Sequence, residues 1–125
     1  MKNSKKKIGI LGGTFDPPHI GHLHISKIAL NKLKLDCVMW VITKQNPLKK
    51  KPYFNLKARI KMSEAIIKKE KNIFVEYLDN IIKSNSTFKL LNFLSKKNAN
   101  TKLFFLMGAD NLVNFHKWEK WEKIL

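Results

Sequence analysis

A chain of 125 residues can bury roughly two-thirds of the surface its unfolded form exposes, so one ordinary core without staples suffices and a single domain, 1–125, is expected. Its one cysteine, Cys37, excludes an internal disulfide; within the apolar run Cys37 to Ile42 it reads as a buried thiol in a reducing compartment. No apolar run approaches the roughly 20 residues of a membrane-spanning helix, and the stretch Ile8 to Leu11 after the basic start is too short for a signal-peptide core, so the expectation is a soluble, cytoplasmic protein that meets no membrane.

Lys and Arg total 25 against 9 acidic residues, a net charge of +16, and Arg59 is the sole arginine. Such a field draws in anions, nucleotides among them. The lysines are spread through the chain beside abundant Asn and Ile, which reads as the compositional drift of an AT-rich genome. Arginine, the residue of bidentate phosphate and base contacts, is nearly absent, so no specific nucleic-acid binding is expected. The pattern sets no oligomeric state.

In chain order, the first strand is expected over Lys6 to Leu11, ahead of Gly12 and Gly13. A helix follows, with Ile20, Leu23, Ile28, Leu30 and Leu33 largely on one stripe and therefore expected in the core. The second strand spans Asp36 to Ile42, and Thr43 to Pro52 reads as an exposed loop. Leu56, Ile60, Ile66 and Ile67 mark the next helix, Asn72 to Tyr77 the third strand, Phe88, Leu91 and Leu94 the third helix, and Thr101 to Met107 the fourth strand. Trp118, Trp121 and Leu125 fall on one face of a last, amphipathic helix. The alternation βαβαβαβα predicts an α/β protein, a Rossmann-like open parallel sheet with helices on both faces. Right-handed crossovers place all strand C-terminal ends on one edge, where ligands of such sheets bind. Function is therefore sought after Leu11, Ile42, Tyr77 and Met107.

The first strand runs into Gly12, Gly13, Thr14, Phe15, Asp16, Pro17, Pro18, His19, Ile20, Gly21 and His22, a strand, tight turn and helix start. Glycines let the backbone approach an anion, and a first helical turn leaves amide hydrogens to point at a phosphate oxygen. His19 and His22, three residues apart, share a helix face and lean toward that same N-terminus. Gly21 between them keeps the turn open for a nucleotide. A helix N-terminus alone stabilises an anion by about 0.3 to 2 kcal/mol. Millimolar ATP binding needs about 4 kcal/mol, so several contacts must act together. No Ser or Cys nucleophile has an evident base and no residue cluster has structural-metal spacing. A direct in-line displacement with stabilised charge suits this inventory.

The run TFDPPHIGH, Thr14 to His22, resembles the signature of the nucleotidyltransferases that carry a histidine, any residue, glycine and histidine. The segment Phe104 to Leu125 is similar to the fourth strand and following loop of nicotinate-nucleotide adenylyltransferases. That resemblance implies a nucleotidyltransferase-type fold and ATP plus nicotinate mononucleotide as substrates. It implies ATP contacts at Gly12, Gly13, Thr14, Phe15, His19, Gly21 and His22, with Gly108 and Asp110 against the adenosine. Trp118 would stack on the nicotinate ring. The loop Thr43 to Lys51 resembles the acceptor-side loop, and Asn85 to Leu91 the stretch that places Thr87 near the acceptor. Lys44 and Lys49 are candidates for phosphates or the nicotinate carboxylate, against the alternative of a solvated loop. The chain departs from the family at Leu48, Lys49 and Lys89, and it lacks the family's C-terminal serine, threonine and arginine motif, so a C-terminally incomplete domain is expected.

The implied reaction joins the acceptor phosphate to the adenylyl group of ATP, with His19 and His22 as the catalytic residues. Magnesium is expected to arrive with ATP, without a protein metal site or tightly bound cofactor. Two alternatives stay open at this point. One is a sister transferase, a phosphopantetheine adenylyltransferase or a cytidylyltransferase; the other is a non-catalytic remnant that binds nucleotides or polyanions through its charge.

Overall fold

The structure, a computed structural model, describes residues 6–44, 52–79, 87–97 and 100–106. Among these, four strands form one sheet: β1 (Lys6–Gly13), β2 (Cys37–Ile42), β3 (Ile73–Glu76) and β4 (Thr101–Leu106). Every pairing is parallel, and the spatial order is β3-β2-β1-β4. Three helices connect them: α1 (Ile20–Lys32), α2 (Leu56–Ile66) and α3 (Thr87–Lys97). The chain thus builds outward from β1 on one side and returns to the other side for β4. That reversal beside β1 creates the crevice in which open α/β sheets bind ligands.

Strand alternation sorts the core into two layers. Leu11, Val38, Trp40, Ile42 and Ile73 face one side, where Ala29 of α1 and Ile67 at the end of α2 cover them. Ile10 and Val41 face the other, covered by Leu90 and Leu94 of α3 and by Leu78. The expected parallel sheet with helices on both faces is therefore present. The central strand is buried on both sides, and Gly9 lies where a Cβ would sit 2.8 Å from Leu35 and 3.3 Å from both Leu106 and Val38. A larger residue there would wedge the α1-side layer apart. The proposed last helix, Trp118 to Leu125, lies outside the described residues, as do residues 45–51 of the predicted exposed loop.

Two expectations need correction. β1 does not end at Leu11 but continues through Gly13, because Gly12 and Gly13 pair with Val41 and Ile42. More consequentially, the bulky apolar stripe of α1 is not its buried face. Ile20 is 76% exposed, Ile28 46% and Leu33 41%, whereas Ser26 and Ala29 are the buried residues of this helix. Leu23 and Leu30 pack only partly against the core. Small side chains at the contact let the helix backbone lie close to the sheet, and that packing decides which face turns inward, against the pull of the larger residues. Replacing Ile28 by Gln should therefore shift stability by less than about 1 kcal/mol, while Ala29→Leu should cost about 1 to 3 kcal/mol by overpacking; urea unfolding midpoints compare the two.

Candidate active site

The turn from β1 into α1 is held by an exchange of hydrogen bonds between two histidines. His19 is the N-cap of α1, in an extended backbone, and its Nδ1 accepts the Gly21 amide hydrogen at 3.0 Å. His22 Nδ1 in turn accepts the His19 amide hydrogen at 3.0 Å. This is a capping box built from imidazoles, with His22 in the place usually taken by Glu or Gln. It fixes the chemistry of both rings: a ring that accepts at Nδ1 carries its hydrogen at Nε2. Each histidine is thereby set to donate from Nε2. The same bonds correct one expectation, since the first-turn amides do not wait for a phosphate: Gly21 N–H serves the His19 ring, and His22 N–H serves the His19 carbonyl at 3.0 Å. Gly21 has a second reason to lack a side chain, because a Cβ there would lie 2.8 Å from His19 Cε1 and Nδ1.

An aromatic series connects this pair to the core. His19 and His22 lie 4.1 Å apart by ring centroid, His22 and Phe15 4.6 Å, and Phe15 stacks on Trp40 at 5.2 Å and 23°. Exposure rises along the series from the fully buried Trp40 to the exposed His19. Phe15 adopts φ 53°, a left-handed backbone rare for a residue with a Cβ, and its buried ring holds that conformation in place. Trp40 Nε1 donates to Ser26 Oγ at 2.8 Å, and Ser26 Oγ donates to the His22 carbonyl at 2.8 Å. The backbone beneath His22 is thus fastened to the middle of β2.

Beside this pair, the chain's sole arginine is buried, 2% exposed, and spends its guanidinium on main-chain oxygens. Arg59 Nε donates to the Phe54 carbonyl at 3.0 Å, Nη1 to those of Thr14 at 2.9 Å and Thr43 at 2.7 Å, and Nη2 to that of Lys44 at 2.8 Å. Asp16 accepts the amide hydrogens of Tyr53 and Phe54, and Asp79 accepts that of Lys44 at 3.0 Å. Burial pushes the Arg59 pKa down, while the charges of Asp16, Tyr77 and Asp79 hold it up. Burial raises the Asp79 carboxyl above its ordinary value, with the Lys44 amide and the Arg59 charge opposing.

Comparison with known proteins places this geometry. Residues 10–125 match the cytidylyltransferase-like family model. A relative from Pelagibacter ubique (strain HTCC1062), named "Probable nicotinate-nucleotide adenylyltransferase", is 50% identical over 125 residues, which are all of this chain and 69% of that protein. This chain belongs to the nicotinate-nucleotide adenylyltransferase family. A second relative, from Cereibacter sphaeroides (strain ATCC 17025 / ATH 2.4.3), bears the same name and is 37% identical over 118 residues, 94% of this chain and 63% of its own length. The chain thus spans roughly two-thirds of these relatives. Among solved structures, a Vibrio parahaemolyticus protein named for the same activity superposes with a TM-score of 0.75 at 27% identity, covering 95% of this chain and 71% of that one. A Plasmodium falciparum nicotinic acid mononucleotide adenylyltransferase, solved with NaAD, superposes at 0.78 with 24% identity, covering 95% and 60%, and speaks to the fold.

Of the family positions foreseen in the sequence, Gly12, Gly13, Thr14, Phe15, His19, Gly21 and His22 form one continuous segment at the C-terminal end of β1, with Lys44 just past β2. The two strand ends are tied by Thr43 N–H donating to the Gly13 carbonyl at 2.8 Å. Thr87 opens α3, but its side chain lies outside the described residues, as do Lys49, Gly108, Asp110 and Trp118. Trp40, Ser26, Arg59, Asp16 and Asp79 were not foreseen. Cys37 is half-buried, and burial together with Asp36 raises its thiol pKa, which keeps it protonated and unreactive. Among the described residues, no helix is long and apolar enough to cross a membrane.

Asp79 yields a pH prediction. Its folded-state pKa lies above the ordinary 3.8, so the unfolded chain binds fewer protons between the two values and stability falls as pH rises through that window. Asp79→Asn keeps an acceptor for the Lys44 amide but does not titrate. The unfolding midpoint of the wild type relative to Asp79→Asn should therefore be highest below pH 3.8 and decline above it, as urea titrations at a series of pH values would show.

Proposed function

We propose that this chain transfers the adenylyl group of ATP to the phosphate of nicotinate mononucleotide, forming nicotinate adenine dinucleotide and releasing pyrophosphate. The observation that carries the reading is the paired imidazoles, both held at Nδ1 so that both donate from Nε2, at the switch point of a parallel sheet. The family supplies the acceptor's identity.

In the reaction an oxygen of the acceptor phosphate attacks the α-phosphorus of ATP, and the bond from that phosphorus to the bridging oxygen breaks. The protein forms no covalent intermediate. It aligns the two phosphates and stabilises charge as it moves onto the departing pyrophosphate. His19 and His22 supply Nε2–H donors for that charge. Gly12 and Gly13 supply open backbone. A Cβ on Gly12 would approach the Phe105 ring no nearer than 3.6 Å, one on Gly13 would come no nearer than 3.8 Å to Phe15, and neither glycine has a positive φ. Among the described residues, packing does not require glycine at either position, which leaves room for the close approach of a phosphate. Magnesium enters on the triphosphate as part of the substrate; the nearby carboxylates, Asp16 and Asp79, are engaged with backbone amides. Lys44, exposed just past β2, is the residue we assign to the acceptor side.

Pyrophosphate release with ATP plus nicotinate mononucleotide, run beside nicotinamide mononucleotide and phosphopantetheine, tests the reading. The nicotinate form should be preferred. Release with phosphopantetheine alone would assign a sister transferase, and no release from folded, ATP-binding protein would assign a binding remnant.

The histidines can be probed without losing the helix cap. His22→Gln retains a capping acceptor at that position, so it should leave the unfolding midpoint nearly unchanged while the rate falls by ~10² to 10³. Gly21→Ala should act at one remove: its methyl displaces the His19 ring, lowering kcat and, because that ring caps α1, costing about 1 kcal/mol of stability as well. A wild-type rate in His22→Gln would remove it from the mechanism.

A further inference from the structure

The lysine-rich surface and the exposed isoleucines of α1 show nothing that says what would cover them, but the buried guanidinium of Arg59 touches segments on both sides of the site. We propose that Arg59 is the positioning residue that holds the ATP-side turn and the acceptor-side loop in register for transfer. The proposal rests on the adenylyltransferase reading above and goes beyond it, since Arg59 itself is buried and meets neither substrate.

The guanidinium joins three segments of the chain. Thr14 belongs to the turn after β1, Thr43 and Lys44 to the loop after β2, and Phe54 to the entry of α2. These segments stand far apart in sequence, and one side chain donates to a carbonyl of each. A planar fork can serve four oxygens in different directions at fixed separations. Lysine cannot: its single nitrogen has three donors radiating from one point. In a chain whose other 24 basic residues are lysines (25 less one), the one arginine stands where lysine chemistry fails. Two carboxylates brace the same frame from outside, Asp16 through the amides of Tyr53 and Phe54, and Asp79 through the amide of Lys44.

The consequence concerns alignment rather than affinity. A transfer between two bound phosphates depends on their relative placement, and a misplacement of about 1 Å costs ~10²-fold in rate. With Arg59 altered, each segment still presents its own groups to its own ligand, but the distance between the two ligands is no longer fixed.

The test compares Arg59→Lys with Leu94→Ala, which opens the α3-side core on the sheet face opposite α1 and α2. Arg59→Lys should lower kcat about 10²-fold while the separate affinities for ATP and for nicotinate mononucleotide stay within about threefold; Leu94→Ala, at equal or greater loss of unfolding midpoint, should keep kcat within about threefold. Should Arg59→Lys fail to fold, Asp79→Ala decides: it removes the acceptor of the Lys44 amide and one of the charges that support Arg59 while leaving the guanidinium's own hydrogen bonds, and kcat should fall with ATP affinity unchanged. Equal kcat losses in Arg59→Lys and Leu94→Ala, or loss of ATP affinity in proportion to kcat, would overturn the positioning role. A wild-type chain that binds ATP but releases no pyrophosphate with any acceptor would overturn the functional reading, and this proposal with it; an active wild type and an equally active Arg59→Lys would overturn this proposal alone.

Discussion

One buried cation governs the C-terminal edge of the sheet. Removing a guanidinium from water costs several kcal/mol unless its donors find acceptors and its charge finds partners. Arg59 meets that demand with carbonyls from three otherwise separate segments and with the fields of Asp16 and Asp79. The demand works in both directions. The carbonyls of Thr14, Thr43 and Lys44 follow the ends of β1 and β2, where regular pairing stops, and each needs a donor once covered. A single side chain on α2 satisfies all three, so the position of that helix and the shape of the edge are decided together.

The histidine pair solves a related problem at the start of α1. A helix N-terminus leaves amide hydrogens without partners, and proteins usually cap them with Ser, Thr, Asp or Asn. Here imidazoles do it, and the capping bonds determine which ring nitrogen keeps its hydrogen. The structural role and the proposed chemical one therefore sit on opposite edges of the same rings: Nδ1 holds the turn, and Nε2 is left as the donor. The stack through Phe15 to Trp40, and the link from Trp40 through Ser26 to the His22 carbonyl, extend that order into the core. Preorganised donors need no rearrangement as charge develops, and this is the physical basis of the role proposed for the pair.

The charge of +16 fits this arrangement without being part of it. Lysines spread over a surface raise the local concentration of anions and are screened within a Debye length of about 8 to 10 Å. The ion pair of Lys27 with Glu70 at 3.7 Å is of the partly exposed kind that contributes little. Selectivity among anions has to come from fixed donors, because a diffuse field attracts every anion alike.

By itself the sequence determined the order of strands and helices, the parallel sheet and the edge on which to look, because periodicity and glycine placement are local signals that survive without a partner surface. It also pointed to His19, Gly21 and His22, through the glycine-rich run and helix start that follow β1, although His19 proved to be the extended N-cap and not a helical residue sharing a face with His22. Tertiary structure alone decided the rest. Ile20 and Ile28 read as core, yet Ser26 and Ala29 are inside, because the closeness of α1 to the sheet is set by the size of the contacting residues and not by hydrophobicity summed along the helix. Arg59 was not read as a core position: the stripe expected for this helix was Leu56, Ile60, Ile66 and Ile67, and it is the packing that turns Arg59 and Ser63 inward. The partners of Arg59 were not visible either, for Thr14, Thr43 and Lys44 offer only backbone oxygens, and no residue type announces where a carbonyl will point. Trp40 likewise carried a buried N–H in need of an acceptor, but that the acceptor is Ser26, and that Ser26 passes the bond to His22, depends on two strands and a helix meeting in space.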